Sequence, residues 1–368
     1  MSNENREATY TSPYDLDGRL PFAEAFLLGL QHVVAMFAGN MTPILLITAA
    51  CGIGSGSGLQ MQILQSAMLM AGLMTMVQLF TIGPVGSKLP VVMGTSSGFI
   101  GAMSGMAANM GGGVAAYGAI LGASLVGGLF EGALGFFLPY VRRFFPSVVT
   151  GVVVMAIGLS LITVGVHAYG GGSEAGDFGS AVNLFVATVV LLVIIVLKHV
   201  TKGFTSHASI LIGIAAGYLL CGILGTVLPT TYIDADGSRQ VCAWALEWDK
   251  VAEAGWFALP SLMLVAISFK AEAILPIGMM FVVSAVETIG DISAVAIGGL
   301  GREATDRELA GSVLADGLGS SAAALFGVLP NTTFSQNVGL VAMTKIVNRY
   351  AISLGAVFLV LCGLMPKL

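Results

Sequence analysis

Charge is scarce in this sequence. Lys, Arg, Asp and Glu together make up 10% of its 368 residues, against about 25% in a soluble domain. That shortfall excludes a water-soluble globular enzyme. Positive charge is the scarcer sign: the net charge of −5 leaves no basic face for a nucleic-acid partner. Cysteine is too sparse for a disulfide framework, because Cys51, Cys221 and Cys362 fall in apolar runs and only Cys242 lies in a polar stretch. His167, His199 and His207 are scattered near predicted loops, so no metal-ligand spacing arises. There is no phosphate loop and no nucleophile elbow either, and neither cofactor nor enzymatic activity is expected. A cleavable leader is also missing from the pattern. The first twenty residues are polar and include Glu4, Glu7, Asp15 and Asp17, as expected of a cytosolic tail.

Apolar surface is what the chain has instead. Hydrophobic residues make up 56% of it, mean hydropathy is +0.92, and 50 glycines suit helices that approach closely inside a bilayer. A crossing needs about 20 apolar residues. Runs of that kind lie near 27–51, 59–83, 114–138, 147–169, 180–198, 207–229, 271–299, 308–328 and 348–366. Two further segments, near 89–110 and 328–345, are broken by Pro and by Thr, Ser or Asn; counting both gives eleven crossings. With the N-terminus inside, predicted cytoplasmic loops hold Arg6, Arg19, Lys88, Arg142, Arg143, Lys198, Lys202, Arg302, Arg307, Lys345 and Arg349. External positions hold only Arg239, Lys250, Lys270 and Lys367. That asymmetry is the one expected of cytoplasmic loops. It puts the polar stretch 230–257 outside, with Asp234, Asp236, Glu247, Asp249 and Glu253.

The two broken segments resemble each other. One reads Leu89-Pro90-Val91-Val92-Met93-Gly94-Thr95-Ser96-Ser97, the other Leu329-Pro330-Asn331-Thr332-Thr333-Phe334-Ser335-Gln336-Asn337. Proline disfavours helix for its predecessor and cannot continue a helical ladder. Each is therefore expected to be a short extended piece feeding a half-helix. Such backbone is tolerated at membrane depth only where it is buried or lines a cavity, and a matched pair points to a transporter's binding site. As the third and tenth crossings they define a repeat seven crossings long, which inverts its orientation. A full pair of repeats has fourteen crossings, so three are expected to be missing after Leu368. Chance pairing in a sequence rich in Gly, Ser and Thr is the alternative.

Ionisable groups at membrane depth are functional candidates. Glu287 and Asp291 are four residues apart and share a helix face. Asp316 lies in the next span, Gln336 and Asn337 open the second half-helix, and Gln31 and His32 lie in the first span. Half-helix N-termini offer unpaired N–H groups and a positive dipole end. A carboxylate such as Glu287 accepts N–H bonds from a ring, and the Gln336 amide matches a –CO–NH– edge. Asp316, Asp291 and His32 are the groups available to hold or relay a coupling proton. Each also has a plainer role open to it: Glu287 as a tie between helices, Asp291 near the cytoplasm, Asp316 as a helix cap or bridge, His32 as a core histidine. Glu131 has no partner in the pattern and reads as structural or lipid-edge, and the Met stripe at 61–76 as packing or lipid contact.

Three motifs resemble the nucleobase–ascorbate transporter family, the nucleobase–cation symporters. They are Gln31-His32-Val33-Val34-Ala35-Met36-Phe37-Ala38-Gly39, Glu287-Thr288-Ile289-Gly290-Asp291, and Gln336-Asn337-Val338-Gly339-Leu340-Val341-Ala342-Met343-Thr344-Lys345, joined by Asn331-Thr332-Thr333-Phe334. The likeness runs from about residue 20 to the end. It implies an all-α integral membrane protein of seven-plus-seven inverted-repeat transporter fold, eleven of fourteen spans being present, with two short-strand and half-helix breaks. The implied division is a cytoplasmic tail 1–26, a core domain 27–138 completed by 271–368, a gate domain 139–229, and an external loop 230–270. By the same likeness Glu287 is the ring-binding carboxylate and Gln336 the second ring contact. Asn337 supports the broken segment, Asp316 and Asp291 belong to the proton-linked network, and His32 organises the site. Members often carry an aromatic where Ser97 stands; here the nearest aromatic is Phe99, while the backbone N–H groups of Ser97 and Gly98 remain as donors. Gln at 336 resembles xanthine- and urate-type members. The expectation is a proton-coupled symporter of a purine base such as xanthine or urate, in a bacterial inner membrane, dimerising through the gate. The rivals are a uracil carrier of the same family, a sulfate-permease-type anion transporter, and a non-transporting core.

Overall fold

The computed structural model describes residues 12–54, 57–141, 165–172, 175–201, 209–233, 239–246 and 255–366, with isolated positions between them. Most of the run at 147–169 lies outside the described residues, as do Glu4, Arg6, Glu7, Arg142, Arg143, Lys202, Asp234, Asp236, Glu247, Asp249, Lys250, Glu253 and Lys367.

Caps in the sequence mark where several helices begin. α1 spans Phe22–Ala50 and runs through Pro43. α2 (Gly58–Phe80) is capped by Ser57, whose hydroxyl accepts from the Gln60 amide. The 89–110 segment breaks as its Pro and Thr/Ser pattern requires: strand β1 (Met93–Thr95), one 3-10 turn (Ser97–Phe99), then the short helix α3 (Ile100–Asn109). α4 is Gly113–Val141. α5 (Ala181–Val200) is capped by Ser180, and α6 is Ser209–Val227. A hairpin of β2 (Thr231–Ile233) and β3 (Arg239–Val241) follows. α7 spans Ala271–Leu300 and ends on Gly301 at φ 67°, a left-handed conformation that glycine adopts without strain. α8 (Asp306–Leu325) opens on a capping box in which the Thr305 hydroxyl and the Glu308 carboxylate satisfy each other's backbone amides. The second broken segment gives β4 (Asn331–Thr333) and α9 (Ser335–Thr344). α10 (Arg349–Leu364) is capped by Asn348.

Among the described residues, α1, α2, α4, α5 and α7 are long and apolar enough to cross a bilayer, and α6 and α10 are shorter apolar helices. α8 falls outside that group for a physical reason. It is built of Gly, Ser and Ala around Asp316 and is buried along most of its length. Protein covers it on several sides, so it needs no apolar coat.

α8 lies against α4, α7 and α2, while α10 lies against α1 and α2. Early and late parts of the chain thus share one interior, in which Ile44, Met70, Phe99 and Tyr117 meet Phe281 and Ala323. The Met stripe contributes to it, since Met68, Met70 and Met74 are buried while Met61 is exposed. Apolar burial does not draw helices together inside lipid; close approach of small residues does. At Gly317 of α8 an added Cβ would strike the backbone of Gly132 and Gly128 on α4. That approach sets Glu131 level with Asp316 and Gly317. Glu131 is 0% exposed, so the lipid-edge expectation for it is corrected: the glycines that flank it carry that face of α4 into the interior.

Candidate functional site

The two broken segments meet. β1 and β4 pair antiparallel, with Met93 opposite Thr333, Gly94 opposite Thr332 and Thr95 opposite Asn331. The Ser96 amide donates to the Pro330 carbonyl (2.9 Å) and the Phe334 amide to the Val92 carbonyl (3.0 Å), so the pairing continues past each strand. Both strands are buried throughout. Two strands cannot satisfy a buried backbone alone, because their outer edges carry unpaired groups. Side chains of the surrounding helices fill that need. On β1, the Thr95 amide donates to Asn40 Oδ1 of α1 (2.6 Å) and the Met93 amide to Thr75 Oγ1 of α2 (2.9 Å). On β4, the Asn331 amide donates to Ser320 Oγ (3.0 Å), which donates back to the Asn331 carbonyl (3.1 Å).

Asp316 completes the clasp. It is 0% exposed. Its Oδ2 accepts from Thr288 Oγ1 (2.5 Å) and the Thr333 amide (3.0 Å), and its Oδ1 accepts from Thr333 Oγ1 (3.2 Å). One carboxylate therefore fastens β4 to α7. Three donors converge on this buried carboxyl, and the geometry is that of a positioning group.

The half-helix α9 starts directly beyond the clasp. No side chain caps it, in contrast to α2, α5, α8 and α10. Its first hydroxyl, Ser335 Oγ, lies 2.7 Å from Asp291 Oδ2 and 3.3 Å from Glu287 Oε1, and donates to either. The four-residue spacing on α7 thus presents both carboxyls to the positive end of α9. Glu287 and Asp291 are half-buried, and Gln336 beside them is exposed. Gly39 of α1 leaves room here: a Cβ on it would lie 3.5 Å from Gln336 Nε2 and 2.7 Å from Phe334 Cζ. Asn337, the next residue, turns inward and donates from Nδ2 to the His32 carbonyl (2.9 Å), with the same nitrogen 3.1 Å from His32 Nδ1. His32 and Asn337 are both 1% exposed and hold α9 against α1.

Ser97 and Gly98 are half-buried at the mouth of the first half-helix, and α7 lies against that turn as well as against α9. Phe99 is placed differently. It is 1% exposed and meets Phe281 edge-on, with ring centroids 4.7 Å apart. Its ring belongs to the core and presents no face to the opening between the half-helices. Phe99, the aromatic nearest to Ser97 in the sequence, is thus turned into the packing beneath the half-helix. Asn40, Thr75, Thr288, Ser320, Thr333 and Ser335 were not singled out by sequence reasoning. Thr288, Thr333 and Ser335 fall inside the quoted motifs without a role of their own, while Asn40, Thr75 and Ser320 leave no trace beyond being small polar residues in apolar runs. Among the described residues no cluster of His, Cys, Asp and Glu is arranged to hold a metal ion.

Bilayer-length helices around two half-helices joined by a two-stranded clasp define an all-α integral membrane transporter. The chain belongs to the permease family, whose model (Xan_ur_permease) matches residues 23–368. It is 34% identical over 355 residues to a putative purine permease of Clostridium perfringens (strain 13 / Type A), covering 96% of this chain and 72% of that one. Identity is 32% over 363 residues to xanthine permease XanP of Escherichia coli (strain K12), covering 96% and 74%. It is 34% over 345 residues to uric acid permease PucK of Bacillus subtilis (strain 168), covering 94% and 74%. Among solved structures, the transmembrane domain of a cyanobacterium bicarbonate transporter, BicA, aligns with a TM-score of 0.57 over 94% of this chain and 83% of that one, at 16% identity, a likeness of fold.

Proposed function

We propose that this chain carries a purine base such as xanthine or urate across a bacterial inner membrane by proton-coupled symport, with its N-terminus cytoplasmic. The observation that carries the reading is the placement of Glu287 and Asp291 at the uncapped start of α9, with Gln336 exposed beside them. In this reading the Glu287 carboxylate accepts ring N–H bonds. The Gln336 amide pairs with a –CO–NH– edge, and the free N–H groups of Ser97 and Gly98 face a ring carbonyl from the opposite half-helix. A flat base has donors and acceptors around its rim and so suits a cleft walled by two helix ends. Sulfate does not suit it, because Glu287 and Asp291 would repel an anion.

His32 and Asn337 act by positioning α9. Asp316 holds the clasp, and Asp291 lies one turn from Glu287, where it accepts from the Ser335 hydroxyl and is available to hold a coupling proton. Transport on this reading moves the core, 27–138 with 271–368, against the gate, 139–229, carrying the site with it, and the gate is the surface through which copies dimerise. The relatives named above as purine, xanthine and uric acid permeases lend weight to the purine class. The test is equilibrium binding of xanthine to the detergent-purified chain, with urate, uracil and sulfate as competitors. Displacement by urate and not by uracil is the expected result. Displacement by uracil alone favours a pyrimidine carrier, and displacement by sulfate alone overturns the reading.

A further inference from the structure

The mechanism above leaves one buried acid unused. Glu131 sits at the middle of α4, 0% exposed, and neither carboxyl oxygen has a hydrogen-bond partner among the described residues. The Ser284 hydroxyl, on the face of α7 that turns toward α4, is 3% exposed and likewise lacks a partner. The close contact of Gly128 and Gly132 with Gly317 brings Glu131 beside Asp316. The charges that act on it are those of Asp316 from α8 and, second, Glu287 from α7; the Ser284 hydroxyl is the donor that comes near enough to act on it, short of hydrogen-bond geometry. α3, which also lies against α4, has no titratable side chain. Asp316 and Glu131 are thus neighbours of opposite character. Asp316 accepts three hydrogen bonds, while Glu131 accepts none.

A buried carboxylate without a donor or a cation is costly, and two acids already stand beside this one. We propose that Glu131 is a proton-binding site of the transporter, and that its proton is coupled to occupation of the Glu287 site. The coupling follows from charge and rests on the nucleobase reading above. Binding a ring N–H calls for an ionised Glu287. A proton on Glu131 removes the nearby like charge that opposes that ionisation, so proton and base favour each other's binding. By thermodynamic reciprocity each raises the other's affinity by the same factor, which is what symport requires. Glu131 lies off the cleft, so its role is that of a coupling group that does not touch the base.

Two readouts on the detergent-purified 368-residue chain test this. The first is the infrared carbonyl stretch of protonated carboxyls, compared between the parent and Glu131→Gln without substrate. The parent is expected to show a component that Glu131→Gln removes and Glu131→Asp retains at a shifted frequency. An unchanged band in a folded Glu131→Gln overturns the proposal. The second is the pH dependence of the xanthine dissociation constant. In the parent, affinity is expected to weaken by up to about tenfold per pH unit above the titration of Glu131. In Glu131→Gln it is expected to become flat, with Glu131→Asp restoring the slope and guarding against loss through misfolding. A full slope in Glu131→Gln also overturns the proposal. Failure of the parent to bind xanthine at any pH defeats the nucleobase reading, while the infrared arm still decides whether Glu131 holds a proton.

Discussion

Replacement of Asp316 separates a positioning carboxylate from a group needed for its charge. In Asp316→Ala three buried donors lose their acceptor: the Thr288 hydroxyl, the Thr333 amide and the Thr333 hydroxyl. The two hydroxyls can rotate toward helix or strand carbonyls. The amide cannot, and an unsatisfied buried N–H costs about 1–3 kcal/mol. Adding the hydrogen bonds to a charged group that are lost, the total is roughly 4 kcal/mol, a large fraction of the ~5–15 kcal/mol by which folded domains are usually stable. Asp316→Asn is a different perturbation. Its amide oxygen can take the Oδ2 position and accept from Thr288 and the Thr333 amide, while its NH2 group donates to Thr333 Oγ1. Only the charge assistance is lost, about 1–2 kcal/mol. The assay is the fraction of detergent-purified protein that stays monodisperse after stepwise heating, with xanthine affinity measured in parallel. The alanine variant is expected to lose its folded fraction well below the parent, and the asparagine variant to stay close to it. An alanine variant with the parent's midpoint and affinity would refute the clasp. Equal damage in both variants would show that charge, and not the cradle, is what Asp316 supplies.

Glu287→Gln is expected to weaken xanthine binding by roughly 10- to 150-fold, the loss of one hydrogen bond to a charged acceptor, and calorimetry giving near-parental affinity removes Glu287 from the site. Gln336→Glu is expected to change the order of preference among xanthine, urate and uracil in competition assays while leaving thermal stability within about 1 kcal/mol of the parent, as befits an exposed side chain; an unaltered order counts against its contact with the ring. Gly317→Ala places a methyl group against the backbone of Gly128 and Gly132, where neither helix can yield cheaply, and is expected to cost about 1–3 kcal/mol by overpacking. Heating curves that superpose on the parent's would show that α4 and α8 are not held at that distance.

Much of the architecture is legible in the sequence because membrane depth imposes strong rules. Pro90 and Pro330, each followed by extended-looking residues, announce breaks, and a short strand follows each. The four-residue spacing of Glu287 and Asp291 puts both acids on one face without any knowledge of what that face meets. What escaped is tertiary. Asn40 reaches Thr95 across 55 residues and Thr75 reaches Met93 across 18, and a lone polar residue in an apolar run does not say which distant amide it will serve. Asp316 reads in sequence as a candidate proton group, since its three donors come from residues 288 and 333, on two other elements. Glu131 reads as either structural or lipid-edge because an apolar helix looks the same on a lipid face as on a protein face. The glycines at 128, 132 and 317 decide between them, and only in combination. For Phe99 the sequence shows only an aromatic next to the half-helix; that a 3-10 turn directs it inward onto Phe281 is a tertiary fact.

On the proposed reading, two half-helices joined by β1 and β4 hold a flat base against Glu287. An experimental density map of the chain with xanthine tests it most directly. The expected result is planar density bounded by the Glu287 carboxyl, the Gln336 amide and the Ser97 and Gly98 amides. Xanthine density elsewhere, or a Glu287 side chain turned away from both half-helices, would contradict it.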